Sequence, residues 1–206
     1  MNIWEDDPVP LIPCPFCGNE DCGGYPCPGF STSKKLKLLI PKWKIQQRVC
    51  ELGQKITTDF EGKEVLLIGV LKGSFMFLAD LVRNINLPTT FDFIGVSSYG
   101  YLTESSKQFK ITKELEHSVV DKQVLLIEDI VDTGWTLTYL RKMLKLYQPK
   151  SLLVVTLLDK PSRRETVAII NYTGFTIENH FVVGYGMDYD EQYRNLPDIY
   201  TIKEKE

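Results

Sequence analysis

The chain has 206 residues, of which 43% are hydrophobic, and a formal net charge of -3. That length and apolar content suit one main domain with a core of substantial size. The acidic balance leaves no footprint for polyanions, so no nucleic-acid partner is expected, and no apolar run reaches the 18 or so residues that a membrane helix needs. The opening MNIWEDDPVP has neither the basic nor the apolar region of a secretory signal. A cytoplasmic protein without a membrane partner is the expectation.

Residues 1–35 are rich in Pro, Gly and Cys and show little apolar periodicity, so we separate them as an N-terminal extension from a main domain over 36–206. Cys14, Cys17, Cys22 and Cys27 are spaced C-x2-C-x4-C-x4-C and open with a CPxCG knuckle. Four thiolates can complete a tetrahedral structural Zn²⁺ site, although the gap between the pairs is shorter than in most zinc ribbons. A flexible tail that happens to carry cysteines is the alternative.

From Ile40 the pattern becomes helical, with Trp43, Ile45 and Val49 interleaved with Lys and Gln and a stop expected near Gly53. The run 65–70 (VLLIGV) reads as a strand covered on both faces. The segment 74–85 (SFMFLADLVRNI) reads as a helix, and 91–98 (FDFIGVSS) as the next strand. The polar stretch 99–118 has little core signal and reads as a long mobile excursion, a candidate lid. Further strands are expected at 124–128, 151–159 and 180–186, with a helix whose apolar stripe is Leu137, Leu140, Leu144 and Tyr147. This alternation is the signature of an α/β fold with a mostly parallel, twisted sheet flanked by helices.

The most informative stretch is VLLIEDIVDTGWTL at 124–137. Ligands in open α/β sheets bind beyond the carboxyl ends of the strands, where Glu128 and Asp129 are expected. Gly134 can let consecutive backbone N–H groups of DTGWT point at one anion, and the following helix adds its partial positive charge. Thr133 and Thr136 offer hydroxyls to the same anion. The two carboxylates would repel a phosphate unless they hold ribose hydroxyls and help to retain Mg²⁺, so the pattern describes a phosphorylated sugar. An acidic strand end followed by a capped helix is the plainer reading.

This stretch resembles the phosphoribosyl diphosphate (PRPP) signature of type I phosphoribosyltransferases. The chain from about 40 to 203 is similar to the hypoxanthine/guanine members, through GVLKGSFMFLADL (69–81), SSYG (97–100), LLDKPSRR (157–164) and FVVGYGMDYDEQYRNLPDI (181–199) in that order. The resemblance implies transfer of the phosphoribosyl group from PRPP to a 6-oxopurine, giving IMP or GMP, by a homodimer or homotetramer using Mg²⁺. It implies that Glu128 and Asp129 bind ribose and metal, and that Asp132 stands near purine N7 as a general base. Asp132, Thr133, Gly134, Trp135 and Thr136 would surround the 5′-phosphate, Trp135 through its backbone only. Lys72 and Gly73 would approach the pyrophosphate beside a peptide bond that is often cis in the family, and Arg194 would supply a second cation. Ser74 stands where other members carry Gly.

Lys160 would donate to purine O6 and reject adenine, Phe181 would stack on the base, and Val182 would read it through the main chain. Asp188 would lie near the 2-position and a second Mg²⁺, while Ser98 and Tyr99 belong to the closing loop. His117 and His180 match no site position. A regulator that keeps this fold and senses PRPP or nucleotide is the competing reading. A P-loop NTPase fails for want of G-x-x-x-x-G-K-[ST], and a dinucleotide-binding protein because GYGMDY lacks the third glycine and follows the last strand. For the cysteine quartet, metal analysis of chain purified without chelator is expected to give about one zinc per molecule; none would remove those residues as a site.

Overall fold

The computed structural model describes residues 36–99 and 108–202, so Cys14, Cys17, Cys22 and Cys27 lie outside the described residues. Its main sheet has six strands in the order β4-β3-β2-β5-β6-β7. They are β2 (Val65–Leu71), β3 (Thr89–Tyr99), β4 (Gln108–Lys113), β5 (Gln123–Val131), β6 (Ser151–Asp159) and β7 (Tyr172–Thr176). All neighbours pair in parallel except β3 and β4. Three helices flank it: α1 (Lys42–Asp59), α2 (Phe75–Arg83) and α3 (Trp135–Leu146). No described helix is long and apolar enough to cross a membrane.

Strand side chains alternate between faces, and the two sheet faces carry different helices. Val65, Leu67, Leu125, Ile127, Val155 and Leu157 point to the face covered by α1 and α2 through Ile45, Val49, Leu52, Phe77 and Leu81. Leu66, Ile68, Val124, Leu126 and Val154 point to the other, covered by Leu137, Leu140 and Leu144 of α3. Burial on both faces explains why these strands read as continuous apolar runs. Tyr147, expected on the α3 stripe, is instead 56% exposed. It follows the helix as its C-terminal cap, where the 3.6-residue repeat no longer governs direction.

Three further expectations are corrected. The stretch 99–118 is not one excursion. Gln108–Lys113 forms the edge strand β4, and the carboxylate of buried Asp92 accepts the N–H groups of Glu116 and His117 at 2.7 and 2.9 Å. Among the described residues its apolar contribution comes from Phe109, which stacks on Tyr139, and from Ile111 and Leu115, too sparse to announce a strand. The expected strand 180–186 shrinks to β8 (Val182–Val183), which lies in a separate three-stranded antiparallel sheet between Phe181 and the turn at Gly184. There it pairs with β9 (Ile199–Ile202), itself paired with β1 (Leu36–Ile40).

The third correction concerns Gly53, which does not stop α1. The helix continues for six residues because Ile56 lies in the core, and Gly53 marks the place where α1 touches the end of α2. A Cβ there would stand 2.4 Å from the Asn84 carbonyl oxygen. Alanine for glycine inside a helix ordinarily gains about 1 kcal/mol. Gly53→Ala is expected to do the opposite, losing about 1–3 kcal/mol by overpacking, seen as a lower urea midpoint; a midpoint at or above that of the parent would show that the two helices separate freely.

Candidate active site

The turns that follow β2, β5 and β6 meet at the carboxyl edge of the main sheet. The register places β5 beside both β2 and β6, so Lys72, Asp132 and Lys160 are brought to one edge although they lie 28 to 88 positions apart in sequence. The strand β5 runs on to Val131, three residues beyond the expected end, so Glu128 and Asp129 sit within it. Glu128 is 5% exposed and pairs in register with Thr156 of β6. Asp129 lies against the turn after β2: a Cβ on Gly73 would stand 1.8 Å from Asp129 Oδ2. Gly73 is therefore required for space.

Lys72 and Gly73 follow β2, and the Leu71–Lys72 peptide bond is cis. Ser74 has φ -76° and ψ -6°, ordinary right-handed values that need no glycine. Its hydroxyl donates to the Val70 carbonyl at 2.7 Å and closes the turn. Lys72 Nζ pairs with Glu191 Oε2 at 2.9 Å. The same carboxylate oxygen is 3.5 Å from Arg194 Nη2, which also pairs with Asp188 Oδ1 at 2.7 Å. The hydrogen bond from Lys72 holds the Glu191 carboxyl below the usual carboxylate range. Arg194 donates to the Gly186 carbonyl at 2.7 Å, while its buried Nε has no hydrogen-bond partner. Glu191 is a participant that sequence reasoning missed, although its spacing of three from both Asp188 and Arg194 was visible.

After β5, Asp132 faces two cations. Lys160 Nζ is 3.5 Å from Oδ2, and Arg163 Nε donates to Oδ1 at 3.1 Å. Lys160 is 5% exposed, a depth that a lysine occupies when it has a partner. Gly134 takes φ +88°, the left-handed conformation expected of it, and precedes the first turn of α3. The Thr133 carbonyl accepts the N–H of Glu165 at 3.0 Å and of Thr166 at 3.3 Å, which fixes the turn from behind. The Trp135 indole donates to Glu165 Oε2 at 2.9 Å, and Thr136 lies in the first turn of α3.

Val182 is buried in β8, and Phe181 just before it is 49% exposed, which sets aside the ordinary core role open to a Phe at a strand start. Its ring meets Tyr189 edge-on at 5.4 Å. Ser98 and Tyr99 end β3, opposite Phe109 and Gln108. Because Gly95 pairs with Leu71, they project three and four residues beyond the end of β2. His117 Nδ1 is 3.3 Å from Asp92, and half-exposed His180 is 3.4 Å from Glu178, both apart from this cluster.

Burial pushes the Glu128 carboxyl well above its ordinary value, with Asp129 adding repulsion. Burial likewise pushes Asp129 up to about 6, against the pull of the Ile130 N–H and of Arg194. Both groups hold protons more tightly in the folded chain than in the unfolded one. For Asp129 the stability this contributes is present below pH 3.8 and is lost as pH rises through about 6. Asp129→Asn is therefore expected to stabilise the ligand-free chain at about pH 8, by roughly 2–3 kcal/mol, and hardly at all at about pH 3. Thermal midpoints at the two pH values read the difference; equal shifts would remove the buried charge as its cause.

The phosphoribosyl transferase domain family matches residues 42–190 of the chain. The hypoxanthine phosphoribosyltransferase of Salmonella typhimurium is 46% identical over 79% of this chain and 92% of its own. The hypoxanthine-guanine phosphoribosyltransferase of Bacillus subtilis is 47% identical over 81% and 93%. A crystal structure of a hypoxanthine-guanine phosphoribosyltransferase from Bacillus anthracis superposes with a TM-score of 0.79 at 44% identity, covering 83% of this chain and all of that one. With the parallel sheet and its carboxyl-edge turns, these matches show that the chain belongs to the type I phosphoribosyltransferases, in the hypoxanthine and hypoxanthine-guanine family.

Proposed function

We propose that the chain is a purine salvage enzyme that transfers the 5-phosphoribosyl group of PRPP to N9 of hypoxanthine or guanine, giving IMP or GMP and pyrophosphate. The observation that carries the reading beyond family membership is the pairing of buried Lys160 with Asp132 beside the turn at Gly134. One element there suits a phosphate, one a purine edge, and the carboxylate between them suits a proton.

In this reading the turn 132–136 holds the 5′-phosphate with its N–H groups and the end of α3. Glu128 and Asp129 accept the ribose hydroxyls. Lys72 and Arg194 exchange Glu191 for the pyrophosphate, a stronger anionic partner with more acceptor oxygens. As N9 forms its bond to C1′, the bond from C1′ to the pyrophosphate oxygen breaks and its electron pair leaves with pyrophosphate. The N7 proton of the purine passes to the Asp132 carboxylate, so the product base is neutral. Lys160 donates to O6, which rejects adenine because two donors would face each other. Phe181 stacks on the base, Val182 contacts it through the main chain, and Asp188 lies near its 2-position. Ser98 and Tyr99 help to keep water from the sugar cation.

The donor set suits Mg²⁺. Glu128 and Asp129 are hard oxygen ligands whose burial is costly while they are charged, and Mg²⁺ binds through one or two carboxylates together with substrate phosphates. Glu128, Asp129 and, for a second ion, Asp188 would hold it, and it would neutralise the departing pyrophosphate.

The test offers PRPP and Mg²⁺ with hypoxanthine, guanine and adenine separately. Turnover of the first two and not of adenine is expected, and Asp132→Asn should lower kcat about 100-fold or more with little change in PRPP affinity. Turnover of no base would overturn the reading; unchanged kcat in Asp132→Asn would overturn the role of that residue. Lys160→Gln should relax the exclusion of adenine.

A further inference from the structure

Lys160 and Arg163 come from one short turn, and that turn is anchored independently of either side chain. Pro161–Arg163 forms a single 3-10 turn, with Arg163 N donating to Lys160 O at 3.1 Å and Arg164 N to Pro161 O at 3.2 Å. The Arg164 guanidinium donates to Val131 O at 2.6 Å, also to the Asp132 carbonyl, and pairs with Asp159. The turn after β6 is thereby fastened to the backbone of the turn after β5. From this fixed base Arg163 reaches Asp132 Oδ1 at 3.1 Å, while Lys160 stands 3.5 Å from Oδ2. Each oxygen has its own cation.

The two cations are not equivalent. The Lys160 side chain is 7% exposed and that of Arg163 46%. In the proposed reaction Lys160 is needed at purine O6, and a lysine that turns to O6 leaves Oδ2. Arg163 keeps its charge under all working conditions and offers a directed Nε–H bond. A carboxylate gripped at one oxygen presents the other in a defined direction; released, its terminal torsion is broad.

We propose that Arg163 is a positioning residue for the transfer reaction: by holding Asp132 Oδ1 it aims Oδ2 at the purine once Lys160 has left that oxygen for O6. This rests on the reading of Asp132 as proton acceptor. It gives a job to a residue in the segment LLDKPSRR that neither phosphate binding nor base reading uses. It also couples the two ends of the purine edge, because recognition at O6 is what frees the oxygen that takes the proton.

The experiment is a set of four variants assayed with hypoxanthine and PRPP: Arg163→Ala, Arg163→Lys, Asp132→Asn and the double variant Asp132→Asn/Arg163→Ala. Half-exposed ion pairs contribute little to folding, so unaltered thermal midpoints are expected. Arg163→Ala is expected to lower kcat about 10-fold or more with the PRPP KM within about 3-fold, and Arg163→Lys to recover part of the loss. In the Asp132→Asn background the alanine substitution is expected to add less than about 2-fold, since its effect passes through that carboxylate. An unchanged kcat in Arg163→Ala would overturn the inference. So would an equal loss in both backgrounds, or a PRPP KM that rises and carries the whole effect, the mark of a phosphate-binding arginine. Asp132→Asn alone reports on the underlying reading: no loss there removes the proton acceptor itself, whereas a full loss there with a silent Arg163→Ala removes only Arg163.

Discussion

The contact between the backbone at Gly73 and the carboxylate of Asp129 is the constraint on which the site depends. It exists because β2 and β5 lie side by side in parallel, which brings the turn after one strand against the side chains that end the other. No side chain fits between them. A parallel sheet needs long connections, so residues gathered at its carboxyl edge come from distant parts of the chain. Glu128, Asp129 and Asp132 arrive from β5, Lys72 and Gly73 from β2, and Lys160 from β6. The price of that gathering is a buried acidic pair, whose carboxyls are both pushed above their ordinary values.

The charges around this edge are arranged so that almost every cation already has a carboxylate. Lys72 and Arg194 share Glu191, Arg194 holds Asp188, and Lys160 and Arg163 hold Asp132. In the proposed reaction Lys72 and Arg194 exchange one anionic partner for another, which would let a chain with a net charge of -3 receive a strongly anionic substrate. The acidic pair at Glu128 and Asp129 differs: among the described residues it has no ion pair, and Arg194 acts on Asp129 only through space. That asymmetry separates the part of the site suited to hydroxyls and a metal from the part suited to phosphate.

Much of the main sheet was legible in the sequence, for a physical reason. Strands buried on both faces are apolar at nearly every position, so 65–70 and 151–159 stand out without any periodicity argument. The edge strand β4 was not legible, because Phe109, Ile111 and their polar neighbours cover one face only. The small sheet escaped for a different reason: β1 and β9 pair Leu36 with Ile202, and β8 is two residues long, so the pairing partners are too short and too far apart for a local pattern. Local propensity marks Gly53 as a helix stop, while the packing of α1 on Asn84 decides otherwise.

For the site, the residue types and their order were determined by the sequence alone. The run VLLIEDIVDTGWTL carries its own strand, its acidic pair and the glycine that adopts φ +88°, all of them local properties. What only the tertiary structure decided is who touches whom. That Asp132 meets both Lys160 and Arg163, that Glu191 bridges Lys72 and Arg194, and that Arg164 fastens one turn to another follow from strand order and register. These are contacts across 3 to 119 positions of chain, and the longer ones have no local signature because a side chain's nearest charge is fixed by the sheet, not by its neighbours in sequence.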